Sequence, residues 1–87
     1  MKRSFEKFEA HLYLVGLHAD IEKHARKQNI TLRSLYEGEN RAPSVSAARR
    51  ATYSWLRARG KGVNEIARLF DREPSGVAKM LRNGGGR

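Results

Sequence analysis

Apolar residues recur at helical spacing from the start of the chain. Over residues 4–28, Phe5, Phe8, Leu12 and Val15 mark one stripe, and Leu14, Ile21 and Ala25 mark a slightly rotated one. Ser4 stands where an N-cap is expected. Gly16 interrupts the pattern at a cost of about 1 kcal/mol relative to alanine, so the segment reads as one bent helix or as two that meet there. Thr31 then offers a cap for a short helix through Tyr36, which Gly38 stops. Residues 39–44 read as a basic loop.

A third periodic segment opens after Pro43, with Ser44 or Ser46 as cap. Its apolar stripe is Val45, Ala48, Thr52, Trp55 and Leu56, which makes Trp55 the expected anchor of the core and leaves Arg49, Arg50, Tyr53 and Arg57 on the remaining surface. Gly60 and Gly62 break the chain. A short helix with Val63, Ile66, Ala67 and Phe70 inward follows, then a turn at residues 71–73. Pro74, suited to the first helical turn, opens a last helix that Gly84 is expected to end. No period-2 pattern and no internal repeat occurs, so the expected fold is all-α. It should be a small bundle of four to six helices in a single domain, residues 1–83, with a flexible tail at 84–87.

The last two segments match the helix-turn-helix plan, over residues 63–83: Ile66 and Phe70 face inward, Ala67 is small where the second helix approaches, and Val77 and Met80 pack that helix back. Charge gives the plan a partner. The 87 residues carry 18 Lys and Arg against 9 Asp and Glu; residues 1–40 hold 7 basic and 6 acidic side chains, residues 41–87 hold 11 and 3. A field of that sign and asymmetry points to a polyanion, because each phosphate a cation neutralises releases condensed counterions. In a helix-turn-helix the first residues of the second helix enter the major groove, here Glu73, Pro74, Ser75, Gly76 and Lys79. Arg49, Arg50 and Lys61 are then candidate phosphate clamps, Arg72, Ser75 and Lys79 face base edges, and Arg82 holds the backbone. Ser44, beside the basic loop, joins the candidate contacts. About six neutralised phosphates would give a slope of log K against log salt near −5.

The order of basic loop, long helix, glycine break and "NEIARLFDREPSGVAKML" resembles the C-terminal DNA-binding domain (domain IV) of the bacterial replication initiator DnaA, of the Trp-repressor-like group. It is also similar to the DnaA-like tails of repetitive-element-associated transposases. The resemblance covers about residues 20–83. It implies a minor-groove arginine in the loop, which falls on Arg41, and double-stranded DNA as partner in replication control, transcriptional regulation or a mobile element. The family's signature turn is a basic residue, Asp, His, then Ser or Thr, where this chain has Arg72, Glu73, Pro74 and Ser75. Proline has neither ring nitrogens nor an N–H to offer a base, so the architecture is transferred and the target sequence is not.

Other chemistry is poorly provided for. There is no cysteine, hence no disulfide, thiolate metal site or thiol nucleophile, in agreement with a reducing compartment; the expected setting is cytoplasmic, and nucleoid-associated if the partner is DNA. His11, His18 and His24 are spaced by 7 and 6, not the i, i+4 of helical zinc sites, and no phosphate-cradling GxxxxGK[ST] loop occurs. The expectation is a binding protein, not an enzyme, with no cofactor and no small-molecule substrate. No apolar run approaches the roughly 20 residues of a membrane span, and the N-terminus lacks a signal-peptide stretch. Two alternatives stand beside duplex DNA: an RNA-binding module, and a protein-interaction adaptor. In the second, the first helix, with Phe5, Phe8, Leu12, Tyr13 and Leu14, docks a partner helix or a second copy, so that the N-terminal segment supports a homodimer.

Overall fold

The computed structural model describes residues 4–38 and 42–85, with side chains through Arg82. Those residues form six helices and no strand: α1 (Phe5–Leu14), α2 (His18–Lys27), α3 (Leu32–Glu37), α4 (Pro43–Ala58), α5 (Val63–Phe70) and α6 (Pro74–Gly85). The last runs one residue past the glycine expected to stop it.

Local chemistry accounts for most boundaries. The Ser4 hydroxyl accepts from the Lys7 N–H at 3.3 Å, and Thr31 does the same for Ser34 at 3.0 Å. Gly16 has φ +76° and nothing within 4 Å of where a Cβ would stand, so glycine is needed there for the backbone and not for packing. The first periodic segment is therefore two helices. That break resets the helical phase: Leu17 takes the inward position, whereas Leu14, expected on the inner face of a continuous helix, is 85% exposed. At the start of α4, Pro43 occupies the first turn after Ala42, which has no side chain to cap with, and Ser44 and Ser46 lie inside the helix.

An aromatic chain links the elements. Phe8 of α1 stacks on Tyr36 of α3 at 4.1 Å, and approaches Phe70 of α5 at 5.3 Å; Phe70 meets the edge of Tyr53 from α4 at 5.4 Å. Leu12, Ile21, Leu35, Leu56 and Ile66 fill the space around them and are fully buried. Trp55 is not the anchor expected of it. It is half-buried at the rim, stacked with His24 and overlain by the Arg59 guanidinium. Tyr53, expected outside, is the inward aromatic of α4.

The rotation of α4 that brings Tyr53 in also buries Arg49, at 1% exposure, and removes it from the surface where a phosphate clamp was expected. Its guanidinium donates to the last carbonyls of α3: Nε and Nη2 to Leu35 O at 3.1 and 2.7 Å, and Nη2 also to Tyr36 O at 3.4 Å and Gly38 O at 2.8 Å. These are groups that a helix end leaves without intrahelical donors. A second arginine joins them, since Arg72 Nη2 donates to Tyr36 O at 2.6 Å, with its charge close enough to Tyr53 to act on that phenol. Burial, then the proximity of Arg72, holds the Arg49 pKa below its ordinary value, with Tyr53 pulling the other way. Gly38 is part of the same junction: a Cβ there would stand 2.5 Å from Ser34 O and 2.9 Å from both Val45 methyls.

Replacing Arg49 by alanine strands these carbonyls and opens a void. Each charge-assisted hydrogen bond contributes about 1.5–3 kcal/mol, so Arg49→Ala is expected to lower the unfolding free energy by about 3 kcal/mol or more in urea denaturation. A loss below about 1 kcal/mol would contradict the tie. Gly38→Ala should destabilise as well, because the neighbouring Ser34 backbone cannot give way.

Candidate nucleic-acid interface

α5 begins where Gly62 donates its N–H to Glu65 Oε1 at 3.2 Å, after Gly60 has turned the chain at φ +92°. Ile66, Ala67, Leu69 and Phe70 face the core. The helix ends at Asp71 in the left-handed region, φ 55°, and the Arg72 N–H returns to Ala67 O at 2.9 Å. An aspartate holds that strained conformation with help from outside the turn: the Tyr36 hydroxyl donates to Asp71 Oδ2 at 2.6 Å. Through Tyr36 and Arg72, the turn between α5 and α6 is fastened to the end of α3.

α6 divides by face. Val77 is buried, and Met80 and Leu81 pack against the core. The opposite side presents Ser75, Gly76, Lys79 and Arg82, all exposed, with Glu73 and Pro74 exposed at the entrance. Among the described residues neither Lys79 nor Arg82 lies in an ion pair. Between α5 and the start of α6 lies an open cleft of about 470 Å³ lined by Asn64, Ala67, Arg68, Asp71, Arg72 and Pro74. The whole first turn of α6 carries small side chains, and a Cβ at Gly76 would meet nothing within 4 Å.

The twelve residues nominated from sequence thus part company. Pro74, Ser75, Gly76, Lys79 and Arg82 are brought together on α6, with Glu73 immediately before its first residue. Arg72 is half-buried and directed to the Tyr36 carbonyl, so it does not project toward a base edge as expected. Arg49 is interior. Arg50 is half-buried on α4, its Nε enclosed and without a hydrogen-bond partner among the described residues. Lys61 stands apart at the start of α5, 3.9 Å from Glu65. Ser44 is exposed on the first turn of α4, and Arg41 lies outside the described residues. Sequence reasoning passed over Asn64 and Arg68, which line the cleft; their i, i+4 spacing opposite Ile66 and Phe70 was the available signal.

The histidines are engaged elsewhere. His18 Nε2 lies 2.9 Å from Glu9 Oε2 with its ring stacked on Tyr13 at 3.8 Å. His24 Nδ1 lies 3.1 Å from Thr52 Oγ1; since the Thr52 hydroxyl donates to Ala48 O at 2.8 Å, His24 Nδ1 is the donor. Among the described residues no three His, Asp or Glu side chains are grouped to hold a metal ion, and no helix is long and apolar enough to cross a membrane. No protein-family model, curated protein or solved structure matches the chain.

Burial, with a smaller contribution from Lys27, holds the His24 pKa below 6.5. The unfolded chain therefore takes up this proton before the folded one does. The contribution to stability is complete above the unfolded value and is lost as pH falls below it, so the urea midpoint should drop between about pH 7.5 and pH 5.5. His24→Gln should flatten that part of the profile; an unchanged profile would rule out His24 as its source.

Proposed function

We propose that the chain binds double-stranded DNA, with α5, the turn and α6 acting as a helix-turn-helix and the first turns of α6 lying in the major groove. The observation that carries this reading is the division of α6: an apolar side locked to the core, and a small, cationic side that meets no acid among the described residues. A rigidly seated helix with a short-chained entrance can approach a groove closely, and its first N–H groups and positive dipole end suit a phosphate. The resemblance to the DnaA C-terminal domain points the same way, toward a role in replication control, transcriptional regulation or a mobile element. Lys79 and Ser75 are assigned to the groove and Arg82 to the backbone. Arg50 and Lys61 flank the motif as phosphate contacts. Arg72 serves by holding the turn rather than by reading.

With Arg49 and Arg72 engaged inside the fold, four of the nominated cations within the described residues remain for phosphates: Arg50, Lys61, Lys79 and Arg82. The expected slope of log K against log salt is then about −3.6 for duplex DNA, shallower than side-chain counting along the sequence implies. Fluorescence anisotropy of a labelled duplex, its RNA equivalent and a scrambled duplex over a salt series measures it. Lys79→Ala and Arg82→Ala should each flatten the slope by about 0.9. A slope near zero, or an unchanged slope when Lys79 and Arg82 are both replaced by alanine, would sink the reading.

Gly76→Ala separates binding from folding. Nothing in the protein crowds a methyl group at this helical position, so the variant should gain about 0.5–1 kcal/mol of stability. If α6 approaches DNA through its first turn, the same variant binds more weakly. Tighter or equal binding would show that the approach is made elsewhere on the helix.

A further inference from the structure

Among the described residues the chain passes through the left-handed region at four corners: Gly16 (φ 76°), Asn29 (φ 62°), Gly60 (φ 92°) and Asp71 (φ 55°). Each corner closes in the same way, with the next N–H returning to a carbonyl near the end of the preceding helix. Leu17 bonds to Leu12 O, Ile30 to Ala25 O, Lys61 to Leu56 O and Arg72 to Ala67 O. The residues at the corners are not equivalent. Helix ends of this kind take glycine first, because it has no Cβ to crowd the chain, and asparagine second. Aspartate stands only at the corner that leads into α6. That corner is also held from another element by its own side chain, since the Tyr36 hydroxyl donates to Asp71 Oδ2 at 2.6 Å. Asn29 makes no side-chain hydrogen bond among the described residues.

We infer that the Tyr36 hydroxyl is a positioning group for the nucleic-acid interface: by holding the Asp71 carboxylate it keeps residue 71 left-handed and so fixes the direction in which α6 leaves the turn. Its consequence for binding rests on the helix-turn-helix reading; its consequence for the turn rests on the corner alone. Tyr36 is suited to the task because it is itself immobilised, 1% exposed and stacked on Phe8, with its carbonyl taken by Arg49 and Arg72. A glycine at 71 would hold the same turn without help, as glycine does at 16 and 60. Aspartate makes the shape of the turn conditional on α3 instead. Without the hydroxyl, the backbone at 71 relaxes toward right-handed values, and Pro74 and the small first turn of α6 shift against α5. Only the molecules whose corner is closed then present the groove-facing side, and apparent affinity falls in proportion to their fraction.

Tyr36→Phe tests this, because it removes the hydroxyl while keeping the ring on Phe8 and the carbonyl for both arginines. Amide exchange of the full chain without DNA reads the corner directly. In Tyr36→Phe the Arg72 N–H should exchange about fivefold faster relative to the Ile66 N–H, which is bonded to Gly62 O at the other end of α5. In an Asp71→Gly chain the same substitution should leave that ratio unchanged. Anisotropy of a fluorescent duplex of about two helical turns then reads the interface. Tyr36→Phe should weaken binding about fivefold in the parent and by less than about twofold in the Asp71→Gly chain, whose corner needs no tether. A tyrosine that only supported the core would weaken both chains alike. That result, or an unchanged ratio at Arg72 in the parent background, would overturn the proposal. A parent chain that binds no duplex would overturn the DNA reading, while the exchange comparison still decides whether the tether holds the corner.

Discussion

The fold turns on a single guanidinium. α3 has six residues, too short to persist by its own hydrogen bonding, and the Leu35 carbonyl near its end meets the buried Arg49 side chain inside the fold. Arg49 supplies the donors, and its reach across Leu35, Tyr36 and Gly38 sets both where α3 ends and how α4 is rotated. From that rotation follow the burial of Tyr53, its contact with Phe70 and the displacement of Trp55 to the rim. Polar satisfaction, rather than the apolar stripe alone, decides which face of α4 is inside.

The same junction aims the proposed reading helix. Tyr36 is stacked on Phe8 from one side and offers its carbonyl to both arginines, and its hydroxyl ties down Asp71. The direction in which α6 leaves the turn is thus referred back through α3 to the first helix of the chain. Arg72 illustrates how a basic residue in such a motif can act without touching a ligand: it braces the turn against the Tyr36 carbonyl.

Much of this was legible in the sequence, and each failure has a physical cause. The caps at Ser4 and Thr31, the inner positions Phe8, Leu12, Ile66, Phe70 and Val77, and the all-α architecture follow from local rules that involve neighbours along the chain. The exposed side of α6 followed too, because a helix whose inner face is known has only one outer face. Arg49, Tyr53 and Arg72 were misplaced because their partners are carbonyls and rings of other elements, and a carbonyl leaves no mark in a residue pattern. Leu14 was misplaced because periodicity cannot count through a left-handed glycine. The cleft residues Asn64 and Arg68 were visible as an i, i+4 polar pair opposite Ile66 and Phe70, a spacing that does not by itself mark a cleft.

A central tie made of an arginine and peptide carbonyls has a property that an ion pair would lack. Its acceptors do not titrate, its donor keeps its proton throughout the range in which proteins operate, and its burial keeps mobile ions out. Ionic strength, which governs how a cationic surface holds a polyanion, therefore has little purchase on the joint that gives the molecule its shape. The protein can be released from a charged partner by salt and remain the same object.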